Sequence, residues 1–170
     1  MLRKKVIGII GGNEKTCTEK DKKIAYKIGK ALIKNNYRII TGGLGGVMEA
    51  VSKGGKKEEN YNEGMIIGII PSLNKEHANE YVDIVIATGF NYARNQIIVA
   101  SSDAIIAIGG GSGTLSEIAF AWQMNKLILA FNTEGWSQKL GNISLDNKRK
   151  DKIIKVNSVS EIISILNKKL

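Results

Sequence analysis

Three times in this chain a short run of apolar, mostly β-branched residues ends in a cluster of glycines, and a segment with helical spacing follows. Residues 5–10 run into Gly11-Gly12, residues 37–41 into Gly42-Gly43-Leu44-Gly45-Gly46, and residues 104–108 into Gly109-Gly110-Gly111-Ser112-Gly113. A short, continuous apolar run is the mark of a strand buried on both faces. Glycine allows the tight, positive-φ turn that ends it. Strands that alternate with helices must be joined by crossovers, so the sheet they build is mostly parallel and carries helices on both faces. Such crossovers are right-handed. The expectation is an α/β fold, a single Rossmann-like three-layer domain over residues 1–170, a length that suits one domain.

The other elements follow from the same patterns. Ile24, Ala25, Ile28, Ala31 and Leu32 recur at spacings of three and four and predict an amphipathic helix over 18–36. Further helices are expected from 47 to 52, over 90–101 with Ala93, Ile97, Ile98 and Ala100 inward, over 114–124, and over 158–168 with Ser158 or Ser160 near the N-cap. Strands are expected at 65–70, stopped by Pro71, and at 82–87, 127–131 and 153–156. The polar stretches 53–64, 72–80 and 132–151 read as loops.

Composition narrows the function classes. The one cysteine, Cys17, excludes an intrachain disulfide framework and points to a reducing compartment. It stands in a polar stretch with no adjacent histidine, so an ordinary position at the start of a helix is the expectation. The basic-then-apolar opening MLRKKVIGII stops at Gly11-Gly12 without a cleavage pattern, and no apolar run reaches the roughly 18 residues of a membrane span, so a cytoplasmic protein is expected. The formal charge of +9 raises a nucleic-acid-binding module as one reading. The lysines are scattered and no basic–aromatic platform appears, which favours a solvated basic surface over a nucleic-acid partner. His77 is the only histidine and has no cysteine nearby, so neither a metal site nor a serine–histidine–aspartate arrangement is expected.

In open parallel sheets ligands bind beyond the carboxyl ends of the strands, where all three glycine turns fall. The turn Gly109-Gly110-Gly111-Ser112-Gly113-Thr114 opens a helix whose first amides lack internal partners, and Ser112, Thr114 and Ser116 add hydroxyls; a phosphate suits this arrangement. No lysine follows the last glycine, which excludes a Walker A loop, and Thr114 stands where a dinucleotide fingerprint has Gly or Ala. The structural alternative is a tight turn capped by Thr114. Glu117, read as lying in the first helical turn, would serve the helix dipole. Beside a bound anion it would instead face a hydroxyl, a protonated ring atom or an attacking water. The turn Thr41-Gly42-Gly43-Leu44-Gly45-Gly46 has more glycine than a simple turn needs and is a second candidate contact, and Gly11-Gly12 is a third, less specific one. Arg94, followed by Asn95, offers a planar fork of donors to phosphate.

Gly109-Gly110-x-x-Gly113-Thr114-x-x-Glu117, preceded by Arg94 and the Thr41-Gly42-Gly43 turn, resembles the LOG or "lysine decarboxylase-like" (SLOG) superfamily of Rossmann-type proteins over roughly residues 6–131. Despite that label, no pyridoxal-phosphate lysine context is present and decarboxylation of lysine is not implied. The resemblance implies two activities. LOG members are phosphoribohydrolases that release the base from cytokinin nucleoside 5′-monophosphates; the catalytic roles would fall on Arg94 and Glu117, with the glycine motif on the phosphoribosyl group. Ile108 replaces the proline usual before that motif, and Asn95 the lysine usual after the arginine. In both respects the chain looks closer to the branch holding molybdenum-cofactor carrier proteins, which bind a pterin phosphate without catalysis. The leading expectation is a binder of a nucleotide or related phosphorylated molecule, the molybdenum cofactor among them, requiring no cofactor of its own. A nucleoside 5′-monophosphate phosphoribohydrolase is the alternative. The resemblance also implies a homodimer or homotetramer, for which the apolar stretches 97–100 and 118–124 are candidate interfaces.

Overall fold

The structure, a computed structural model, describes residues 3–170. Seven strands form one parallel sheet: β1 (Val6–Gly11), β2 (Arg38–Thr41), β3 (Ile66–Ile70), β4 (Ile84–Ala87), β5 (Ala104–Ile108), β6 (Leu127–Phe131) and β7 (Ile154–Val156). Six α-helices accompany them: α1 (Glu19–Lys34), α2 (Val47–Lys56), α3 (Arg94–Ala100), α4 (Ser112–Gln123), α5 (Gly135–Leu140) and α6 (Val159–Lys169). The order across the sheet is β4-β3-β2-β1-β5-β6-β7. β1 pairs with β2 on one side and β5 on the other, so the winding reverses at β1. Connections leaving these two neighbours run in opposite directions, which opens a crevice beyond their carboxyl ends.

The strand residues supply both cores. Ile7, Ile9, Ile39 and Ile106 are fully buried under α1, α2 and α6. Ile10, Ile40, Ile69, Ile105 and Ile128 pack on the other face with Ile98 and Val99 of α3 and Ile118 and Trp122 of α4. α1 begins with a capping box in which Thr18 accepts from the Asp21 N–H and the Asp21 carboxylate accepts from the Thr18 N–H. It crosses α2 with almost no side chain between them: a Cβ on Gly29 would meet the Val51 carbonyl, and one on Gly54 the Tyr26 carbonyl. Ser158 caps α6 by accepting from the Glu161 N–H, as its sequence position predicts.

Four readings of the sequence need correction. The stretch 132–151 is not all loop, since it holds α5, six residues too short and too polar to show a period. α2 continues to Lys56, into the segment read as a surface excursion. α4 starts at Ser112, two residues before the expected 114. In the segment 90–101, Asn91–Ala93 form a 3-10 turn and α3 starts at Arg94, so Arg94, Asn95, Ile98 and Val99 turn inward while Ala93 and Ala100 are exposed. Among the described residues no helix is long and apolar enough to cross a membrane.

Candidate functional site

A cavity of about 470 Å³ lies at the reversal point of the sheet. Gly11 enters it from the end of β1, Asn13 and Thr16 from the segment that follows, Gly42 and Leu44 from the turn after β2, and Met48 from α2. The opposite wall is Asn91, Tyr92, Arg94 and Asn95 at the start of α3 and Gly111, Ser112, Gly113, Thr114 and Glu117 at the start of α4.

The chain turns from β5 into α4 through Gly109 and Gly110, whose φ values of +60° and +91° favour glycine. At Gly110 a Cβ would also strike the Thr114 side chain. Gly111 is the N-cap of α4, with no side-chain cap and no acidic residue in the first turn. Thr114 is therefore the third residue of the helix rather than its cap. The first turn of α4 meets the cavity with no acidic residue and no capping side chain of its own, a ready seat for an anion. Because α4 starts at Ser112, Glu117 lies in its second turn, where the dipole of the helix end no longer explains it.

Arg94 and Glu117 form the buried centre of the wall, 8% and 6% exposed. Arg94 Nη1 donates to Asn95 Oδ1 and stands 3.7 Å from Glu117 Oε1. Asn95 Nδ2 in turn donates to Ser116 Oγ at 3.2 Å, and Ser116 Oγ to the Gly113 carbonyl at 2.6 Å, which ties α3 to the start of α4. Arg94 Nε is buried without a partner among the described residues. Burial pushes the Glu117 carboxyl up to about 8, against the pull of Arg94, and burial likewise lowers Arg94. Gly42 makes room for the guanidinium: a Cβ there would collide with Arg94 Nη2 and lie 2.7 Å from Met48 Sδ.

The other sequence candidates shape the turns. Thr41 Oγ1 accepts from the Gly43 N–H at 3.0 Å, and Gly43 takes φ +71°. Gly46 is the N-cap of α2 at φ +77°, and its N–H donates to Glu14 Oε2 at 2.9 Å, so a carboxylate of the chain already occupies that helix end. Gly45 packs beside the same Glu14 side chain. Gly12 accepts from the Val47 N–H at 3.0 Å and leaves room for the backbone of Cys17. Cys17 is half-buried just before the Thr18 cap, and burial pushes its thiol up. Sequence reasoning missed Thr16 and Pro71; only their place shortly after the carboxyl end of a strand marks them.

An all-parallel open sheet whose winding reverses at a glycine-rich strand-to-helix turn defines a Rossmann-type α/β protein. The chain belongs to the SLOG cluster4 family, whose model matches residues 4–163, and so to the SLOG Rossmann-like superfamily that its motif resembles. An uncharacterized protein of Archaeoglobus fulgidus is 46% identical over 122 residues, 72% of this chain and 76% of that protein. The probable cytokinin riboside 5′-monophosphate phosphoribohydrolase LOGL9 of Oryza sativa subsp. japonica is 35% identical over 107 residues, 58% of this chain, and the match spans only 44% of that protein. Among solved structures, the molybdenum cofactor binding protein from the phototrophic bacterium Rippkaea orientalis superposes with a TM-score of 0.86 at 38% identity, covering 99% of this chain and 98% of that one.

Proposed function

We propose that the chain binds a phosphorylated small molecule, a nucleotide or pterin phosphate, in the cavity between β1 and β5, with the molybdenum cofactor as its cargo. The observation that carries this reading is the pairing of the uncapped, acid-free start of α4 with the buried, unpartnered Nε of Arg94 on the same cavity wall. The amides of the first turn and the hydroxyls of Ser112 and Thr114 would take the phosphate. The Arg94 guanidinium on the same wall would offer a second acceptor of the ligand a charged donor. Glu117, protonated below about pH 8, can donate to a ring nitrogen or carbonyl that an ionised carboxylate would repel. The likeness to a molybdenum cofactor binding protein, 38% identical and superposing over 99% of this chain, supports the cargo.

Mass spectrometry of what copurifies with the native protein, together with thermal-shift screening against AMP, pterin phosphates and simple oxyanions, tests the reading. A pterin phosphate in the preparation and a raised Tm with phosphorylated ligands are expected. No copurifying ligand and no stabilisation by any of them would overturn it.

A second reading, a nucleoside 5′-monophosphate phosphoribohydrolase, rests on the buried Arg94–Glu117 pair. Loss of the base from ribose builds positive charge at the anomeric carbon, which Glu117 would stabilise in its ionised form, populated above about pH 8. It predicts release of adenine from AMP, abolished by Glu117→Gln while AMP binding remains. A wild-type protein that releases no base from AMP or a cytokinin monophosphate would sink it.

A further inference from the structure

Gly109 and Gly110 do not line the cavity, yet both of their carbonyl groups are engaged by a single element. The N–H of Ser137 donates to the Gly109 carbonyl and the N–H of Trp136 to the Gly110 carbonyl, each at 3.1 Å. Ser137 Oγ accepts from the Gly109 N–H at 2.8 Å and donates to the Phe131 carbonyl at 2.8 Å. Gly135 makes the approach feasible: at φ +77° it carries no Cβ, which would lie 2.6 Å from the Gly110 oxygen. On the far side, the buried Asp21 carboxylate accepts from Thr133 Oγ1 at 2.7 Å and would stand 3.0 Å from any Cβ at position 109. Ser137 is fully buried, and Asp21 and Thr133 nearly so. This concentration of polar groups touches no part of the cavity.

Its effect on the cavity follows from peptide planarity. In a trans peptide the carbonyl and the next N–H point in opposite directions. Drawing the carbonyls of Gly109 and Gly110 toward α5 therefore turns the N–H groups of Gly110 and Gly111 away from it. Neither of these N–H groups has an acceptor among the described residues. Gly111 lines the cavity.

We propose that Ser137 on one side of Gly109, with the Thr133–Asp21 pair packed on the other, is a positioning residue for the ligand turn. It orients the Gly109–Gly111 peptides so that the Gly111 N–H joins the first amides of α4 at the cavity wall. The inference rests on the reading that this turn takes a phosphate. Donors fixed in advance bind an anion without an ordering cost, so loosening them weakens binding even where the fold survives.

The test is titration of inorganic phosphate into ¹⁵N-labelled protein, followed at the amide signals of Gly110–Thr114, for wild type, Ser137→Ala, Thr133→Val and Thr133→Ser, with Tm measured for each. Wild type is expected to show saturable shifts at these amides. The apparent Kd is expected to rise about fivefold or more in Ser137→Ala and Thr133→Val, measured well below their Tm, and to return toward wild type in Thr133→Ser, which keeps the hydroxyl. Should Ser137→Ala fail to fold, the two Thr133 variants carry the comparison. Folded variants with lowered Tm but unchanged phosphate affinity would overturn the positioning role and leave the binding reading intact. Absence of saturable shifts at these amides in wild type would instead overturn the binding reading on which the inference rests.

Discussion

Arg94 Nη1 and Glu117 Oε1 lie 3.7 Å apart in a wall that leaves neither residue more than 8% exposed. At that separation the pair makes no close ion-pair hydrogen bond, while both groups bear the cost of leaving water. Burial accordingly outweighs Arg94 at the Glu117 carboxyl.

The first prediction concerns pH. Glu117 holds its proton up to about pH 8 in the folded chain and loses it near 4.5 when unfolded. Between these values the folded state binds more protons, so this group's contribution is full below about pH 4.5 and is lost as pH rises through about 8. The Tm of Glu117→Gln relative to wild type should therefore be smallest near pH 5 and grow through pH 8, checked by calorimetry across that window. A difference that does not change with pH would refute the buried, protonated state.

Arg94→Met should separate stability from binding. The substitution leaves the buried Asn95 Oδ1 without its donor but strands no charge while Glu117 holds its proton, so a loss of about 1–3 kcal/mol is expected. Affinity for AMP, measured by titration calorimetry, should fall at least tenfold, on the order of 1.4 kcal/mol. A large loss of Tm with retained affinity would make Arg94 a structural residue.

Gly42→Ala tests the seat of that arginine. The new methyl group collides with Arg94 Nη2 and crowds Met48, both movable, and Gly42 is not at positive φ. The cost in stability should be modest, about 1 kcal/mol, because flexible ends can shift. Ligand affinity should fall with the displaced guanidinium, and Arg94→Met combined with Gly42→Ala should be no worse than Arg94→Met alone.

Gly29→Ala offers the opposite pattern. Its Cβ would meet the Val51 backbone, which cannot move aside without separating α1 from α2. A loss of about 3 kcal/mol, seen as a Tm lowered by several degrees, is expected, with phosphate affinity unchanged at temperatures where the variant is folded.

Much of the fold was legible because apolar strands and amphipathic helices are local signals. Every strand was anticipated to within two residues, and so was the long helix α1. The misses share a cause: α5 is six residues long and polar, and its conformation is set by docking Trp136 and Ser137 onto the Gly109–Gly110 turn rather than by its own period. At α3, helical spacing alone did not reveal that the face carrying Arg94 and Asn95, the most polar of the segment, is the one turned inward.

By itself the sequence determined the parallel α/β class, the glycine turns at strand ends and the kinship carried by Gly109–Glu117, since each is written in contiguous residues. Only the tertiary structure decided which helix start carries a carboxylate of the chain itself. Sheet order, a sum of long-range pairings, brings Gly11 and Gly111 together and carries Arg94 over Gly42. It also places Glu14 on the start of α2 and leaves the start of α4 free. The glycine turns look alike in sequence, but a helix end can receive a ligand only where no carboxylate of the chain already fills it.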